Sequence, residues 1–198
     1  MSETGTMAQD AAGGIGPGRL VLVVGPSGAG KDTLLRLARA ACVDDPSVVF
    51  PRRVVTRESS ADEDNIAVTS DEFRRAREHG DFAVHWEAHG HSYALSTGIN
   101  DDIRAERTVV VNVSRTVISA LRQTYGNVVV VAVTAPPEVL AARLAARARH
   151  SDGNIAERLT RSVDNASTPA DVTILNAGTA DYHSRQLLRV IRNQGWQE

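Results

Sequence analysis

The chain has 198 residues, 42% of them hydrophobic, which is enough apolar mass for one domain with a sizeable core. A formal net charge of -2 excludes a global basic field for nucleic acid, so any polyanionic ligand must be held by local arginine clusters. The single cysteine excludes an internal disulfide framework and suits a reducing cytosol, so a cytoplasmic protein is expected.

In chain order, residues 1–18 are rich in Gly, Ala, Ser and Thr. They lack a basic start and a continuous apolar stretch, and read as a disordered tail rather than a secretory signal. Residues 19–198 read as one domain. No apolar run approaches the roughly 20 residues needed to cross a membrane, so no membrane partner is expected. Leu20–Val24 has no polar alternation and predicts a strand buried on both faces. Next come Gly25, Pro26, Ser27, Gly28, Ala29, Gly30 and Lys31, then Asp32, Thr33 and a helix with Leu34, Leu37, Ala38 and Ala41 on one side. Strand, glycine loop and helix at G-x-x-x-x-G-K spacing make a phosphate-binding loop. Its glycines let backbone N–H groups converge on one concavity, and the helix N-terminus adds positive potential there. Lys31 is the only lysine among 22 basic residues, and chance would place it here about one time in 22.

Residues 51–57 predict a strand bearing Arg52, Arg53 and Arg57. By alternation Arg53 and Arg57 share a face, and two guanidinium forks together suit a phosphate group. An acidic loop follows to Asn65. Thr69 and Glu72 have capping-box spacing, opening a helix to about His79 that Gly80 ends. Phe82–Trp86 and His91–Leu95 predict two short strands with Gly90 in the turn between them. Trp86 and Cys42 read as core residues. His85, His89 and His91 have no zinc-ligand spacing and read as surface or substrate-facing groups.

A helix over 97–106, a buried strand Val109–Val113 and a helix capped by Ser114 come next. Val128–Val133 is the most apolar run and predicts a central strand; Pro137 opens the following helix. That helix carries Arg143 and Arg147, a polar break falls at Ser151–Asn154, and a second helix carries Arg158 and Arg161. Two arginine-bearing helices over 143–162 predict a lid that closes positive charge onto a transferring phosphoryl group. Val172–Leu175 and Asp181–Arg192 predict the last strand and helix. Alternating strands and helices predict an α/β fold with a parallel sheet covered on both faces, interrupted by an insert over 51–97. Asp32 stands where the loop consensus has the Ser or Thr that holds Mg2+. A carboxylate can also ligate, so Asp32 and Thr33 are the expected Mg2+ residues. Asn112 ends its strand where many such enzymes carry a carboxylate.

On Gly25–Lys31, Val55-Thr56-Arg57, Tyr93, Arg143-Leu-Ala-Ala-Arg147, Glu157-Arg158-Leu159 and Leu175-Asn176, the chain from about 19 to 192 resembles the guanylate-kinase-like P-loop kinases. Gly30-Lys31-Asp32, the short acidic loop to Asn65-Ile66-Ala67 and the strand end Val111–Arg115 resemble one branch of these. That branch phosphorylates ribose 1,5-bisphosphate to phosphoribosyl diphosphate in phosphonate breakdown. The chain departs from guanylate kinases at Ser60, where they have a second Arg, and at Ser92, where they have the first Tyr of Tyr-Tyr-Gly. Its loop also lacks their GMP-holding Gly and Tyr. The resemblance implies a three-layer P-loop kinase fold with ATP as co-substrate and Mg2+. It implies an acceptor, ribose 1,5-bisphosphate, held by Arg53, Arg57 and Tyr93. Catalytic cations would be Lys31, Arg57, Arg143, Arg147 and Arg158, and Asn176 would contact adenine. Guanylate kinase is the alternative enzyme. A non-catalytic binding module is the other alternative, although such modules have generally lost the loop lysine that this chain keeps.

Overall fold

The computed structural model describes residues 14–57, 64–148 and 170–194. Its elements run β1 (Arg19–Val24), α1 (Lys31–Ala41), β2 (Val48–Val49), β3 (Arg53–Val55), β4 (Asn65–Ala67), α2 (Ser70–His79), β5 (Phe82–Ala88) and β6 (His91–Ser96). Then follow α3 (Gly98–Arg104), β7 (Thr108–Asn112), α4 (Ile118–Thr124), β8 (Val128–Thr134), α5 (Pro137–Ala148), β9 (Val172–Leu175) and α6 (Ala180–Ile191).

The apolar runs form a parallel sheet in the order β2-β7-β1-β8-β9. In β1, Leu20, Leu22 and Val24 face one core with Ile99, Ile103, Ile118 and Leu121 of α3 and α4. Val21 and Val23 face the other, with Leu34, Leu140, Leu187 and Ile191 of α1, α5 and α6. Uninterrupted valine and leucine therefore mark strands covered on both sides, and the result is three layers. β1 takes the middle place; β8, the most apolar run, lies between β1 and β9.

The insert is a second sheet, β4-β3-β6-β5, with β5 and β6 antiparallel. The turn between them uses positive φ at His89 and Gly90, 53° and 75°. Helix α2 opens as its spacing predicts: Thr69 N–H donates to Glu72 Oε2 at 2.7 Å and Glu72 N–H donates to Thr69 Oγ1 at 3.2 Å. Phe73 of α2 packs on Val54 and Ala94 to cover the insert sheet.

Several sequence expectations need correction. Residues 14–18, expected within the tail, are tied down. Ile15 N–H donates to Thr124 O at 2.8 Å, and Gly18 N–H donates to Ile103 O at the same distance. Residues 1–13 lie outside the described residues. Ser114 caps a short 3-10 turn, Arg115–Val117, before α4 rather than α4 itself. The buried stripe of α1 is Leu34, Ala38 and the Cys42 that ends the helix, whereas Ala41 is exposed. Burial pushes the Cys42 thiol up, as suits a small core residue. No helix among the described residues is long and apolar enough to cross a membrane.

Tyr125 closes the α4 end of the core. Its hydroxyl donates to Asn100 Oδ1 at 2.6 Å, and burial raises its pKa from 10.0 to about 12. The fold thus favours the neutral phenol. That stability is fully present below pH 10 and is lost as pH rises through about 12. Tyr125→Phe should flatten the decline of unfolding free energy over this window, read by urea unfolding at stepped alkaline pH. An unchanged slope would show that another group sets it.

Candidate functional site

The phosphate loop joins the C-terminal end of β1 to the N-terminus of α1. Two of its glycines are sterically required. Gly25 has φ 149°, and an added Cβ would overlap the Val133 carbonyl oxygen. Gly30 has φ 89°, and an added Cβ would overlap the Asn176 amide nitrogen.

The loop carbonyls are taken up from behind. Asn176 Nδ2 donates to Ala29 O at 2.8 Å, and its side chain is only 3% exposed. The Arg143 guanidinium donates to Gly28 O at 3.3 Å, Ala29 O at 3.4 Å and Asn176 O at 3.3 Å. Within the loop the Ala29 N–H donates to Pro26 O at 3.3 Å, and a glycine loop of this kind offers its remaining N–H groups to an anion. Lys31 begins α1, and its ammonium donates to Gly25 O and Pro26 O, both at 2.8 Å. The charge is thereby arched over the loop mouth.

Beside this mouth opens a cavity of about 460 Å³ between α1, the end of β7 and the insert. Asp32, Arg36 and Arg39 line it from α1 at i, i+4 and i+7, one stripe of the helix. Asn112 reaches the same space because β7 pairs with β1 in a register that sets Asn112 beside Val23. Its amide donates to Asp32 Oδ1 at 3.2 Å. From the insert come Arg53 and Asn65, and Arg53 Nε donates to Asn65 Oδ1 at 3.2 Å. Arg53 also lies 5.8 Å from the Tyr93 ring centroid, and that ring stacks on Trp86 at 5.7 Å and 8°. Arg39 pairs with Asp64, donates to Phe50 O at 3.0 Å and lies over the Phe50 ring.

Of the residues singled out in the sequence, Asp32 and Arg53 line one cavity, and Lys31 bonds the carbonyls of the loop it follows. Four other residues singled out in the sequence lie as follows. The Arg143 guanidinium is engaged with the carbonyls of Gly28, Ala29 and Asn176. Asn176 lies under the loop, with its amide committed to Ala29, rather than open to a base. Arg57 does not share a strand face with Arg53, because β3 stops at Val55, and Arg57 is absent from the cavity lining. Tyr93 is 7% exposed and acts as the floor beneath Arg53. Thr33 is exposed and does not line the cavity. His85 and His89 are exposed, and no cluster of three metal-ligating side chains occurs among the described residues. The lid tip with Arg158 and Arg161, and the side chain of Arg147, lie outside the described residues. Sequence reasoning missed Arg36, Arg39 and Asp64. The i, i+4, i+7 spacing from Asp32 could have found the two arginines.

A family model described as an AAA domain matches residues 21–163. A ribose 1,5-bisphosphate phosphokinase PhnN of Bradyrhizobium diazoefficiens is 80% identical over 198 residues, covering all of both chains. One of the same name from Rhodopseudomonas palustris is 65% identical over 179 residues, 90% of this chain and 91% of the relative. Among solved structures, guanylate kinase from Anaplasma phagocytophilum superposes with a TM-score of 0.68 at 17% identity, covering 91% of this chain and 87% of that one. At that identity the likeness shows the fold.

Asn176→Ala leaves the Ala29 carbonyl without its donor. The variant should lose about 1–3 kcal/mol of stability and bind nucleoside triphosphate more weakly, with Asn176→Asp weaker still because an acceptor replaces the donor. Urea unfolding and fluorescence titration with a nucleotide analogue read both effects; unchanged nucleotide affinity in both variants would show that the loop holds its shape without Asn176.

Proposed function

The chain belongs to the ribose 1,5-bisphosphate phosphokinase family, and from that membership we propose that it transfers the γ-phosphoryl group of ATP to the 1-phosphate of ribose 1,5-bisphosphate. The products are 5-phospho-α-D-ribose 1-diphosphate and ADP. The observation that carries this reading is the arginine-lined cavity opening beside Asp32 and Asn112, at the mouth of the phosphate loop. An acceptor lodged there presents its anionic end directly to the donor.

In the transfer, an oxygen of the 1-phosphate forms the new bond to the γ-phosphorus. The bond from that phosphorus to the β,γ-bridging oxygen breaks, and ADP leaves with the electron pair. The attacking oxygen is already largely ionised near neutral pH, since the second pKa of a phosphate monoester is about 6, so no general base is needed. The barrier is the approach of two polyanions in line, and positioned positive charge offsets it. Lys31 and the loop N–H groups hold the donor phosphates. Arg53, braced by Asn65 and Tyr93, supplies a guanidinium on the acceptor side. Arg143 and Asn176 fix the loop from behind. Arg147 and Arg158 are the proposed lid cations.

Mg2+ fits the donor set, because Asp32 offers the carboxylate oxygens that a hard cation takes and only one amide donor is seen on them. Asp32 would hold the ion, which would supply positive charge to offset that of the donor phosphates. Thr33, about 100° further around the helix, is the less suited of the two expected ligands. The same reading places the reaction in the cytoplasm and within phosphonate breakdown.

ADP release coupled to a reporter, with ribose 1,5-bisphosphate or GMP as acceptor, tests the proposal. Turnover is expected with the sugar bisphosphate; turnover with GMP alone would make the chain a guanylate kinase. Lys31→Ala should cost about 10²-fold or more in turnover, and an unchanged rate would favour a binding module.

A further inference from the structure

We propose that Arg36, Arg39 and Arg53 form a subsite for the acceptor's second phosphate, the one remote from the reacting end, and that this subsite selects a bisphosphate. The inference rests on the acceptor chemistry proposed above and assigns residues to its far end.

The placement comes from α1. Asp32 and Asn112 mark the loop mouth, where the reacting phosphate must lie. At 1.5 Å of rise per residue, Arg36 stands roughly 6 Å and Arg39 roughly 10 Å further along the axis. A pentose with a phosphate at each end spans a comparable reach. Its far phosphate would then fall among Arg36 and Arg39 on the helix and Arg53 on the facing strand, all three lining one cavity. Guanidinium forks match the bidentate geometry of a phosphate. Among the described lining residues the one aromatic ring, Phe50, is covered by Arg39.

The charge balance also favours a dianion. Among the described residues, the lining at that end carries the guanidiniums of Arg36, Arg39 and Arg53 and one carboxylate, Asp64. Asp64 pairs with Arg39 and lies 4.0 Å from Arg52, but the Arg39–Asp64 pair is about half exposed. Pairs of that kind contribute little, so a phosphate can displace the carboxylate. Arg39 is already held by the Phe50 carbonyl and Arg53 by Asn65, so both are oriented before ligand arrives. Arg36 is exposed and has no ion pair or side-chain hydrogen bond among the described residues. Its charge is therefore available to the cavity.

The test uses the two monophosphates as competitive inhibitors of ribose 1,5-bisphosphate turnover by the full-length protein. Ribose 5-phosphate carries only the group assigned to the arginine end, and ribose 1-phosphate carries only the reacting end. Arg36→Ala should weaken inhibition by ribose 5-phosphate about tenfold or more and raise the acceptor KM by a similar factor, as expected for loss of one charged hydrogen bond. Inhibition by ribose 1-phosphate and the KM for ATP should change less than about twofold, since neither ligand needs this end of the cavity. Arg36→Glu should act in the same direction and more strongly. Arg39→Ala is the second site, read with Tm to separate folding from binding. Equal weakening of both monophosphates, no change with either, or wild-type protein that ribose 5-phosphate fails to inhibit would overturn the subsite. Wild-type protein without turnover of the bisphosphate would instead overturn the acceptor reading itself, and the subsite with it.

Discussion

A backbone loop that points its N–H groups at an anion must dispose of its carbonyls, and the rest of this structure depends on how that is done. Asn176 and Arg143 take the Gly28 and Ala29 carbonyls from behind, and Arg143 also engages the main chain of Asn176. The two residues come from different places. Asn176 follows β9, which reaches the loop only because β8 separates it from β1 in a parallel ladder. Arg143 comes from α5, whose Leu140 is anchored in the core shared with α1 and α6. The donor site is thus an outcome of sheet order and helix packing as much as of a glycine motif.

Asp32 and Asn112 show a related economy of charge. The usual arrangement has a hydroxyl on the helix and a carboxylate on the neighbouring strand. Here the carboxylate is on the helix and a carboxamide is on the strand, joined by a hydrogen bond of 3.2 Å. One negative charge is kept at the loop mouth, but it is moved from β7 to α1 and given an amide partner. The substitution of one position makes sense only beside the other.

Much of the fold was legible, because its signals are local. Uninterrupted valine runs marked strands covered on both faces, and the Thr69–Glu72 spacing marked a helix start that forms with both reciprocal bonds. The glycine spacing and the solitary lysine marked the donor loop. What failed to read was contact between elements. Periodicity assigns neighbours on one helix or strand, so Arg143 and Arg147 read as a pair on a lid, whereas Arg143 is engaged with a loop more than a hundred residues earlier in the chain. Strand length misled in the same way: Arg53 and Arg57 alternate correctly on paper, but β3 is three residues long and ends between them. Arg36 and Arg39 were visible as spacing, yet an arginine stripe reads by default as a solvated face until a facing wall is known.

The helix that begins at Lys31 also has an end. It stops at Ala41, and the next place on the Asp32–Arg36–Arg39 stripe falls at Val43, outside the helix and 78% exposed. Helix α1 therefore works as a ruler with its zero at the phosphate loop and two graduations, after which the scale runs out. An acceptor is gauged in helical turns. On the proposed subsite, a second anion within two turns of the first meets a cation, and the cavity lining offers no further α1 cation beyond Arg39 among the described residues.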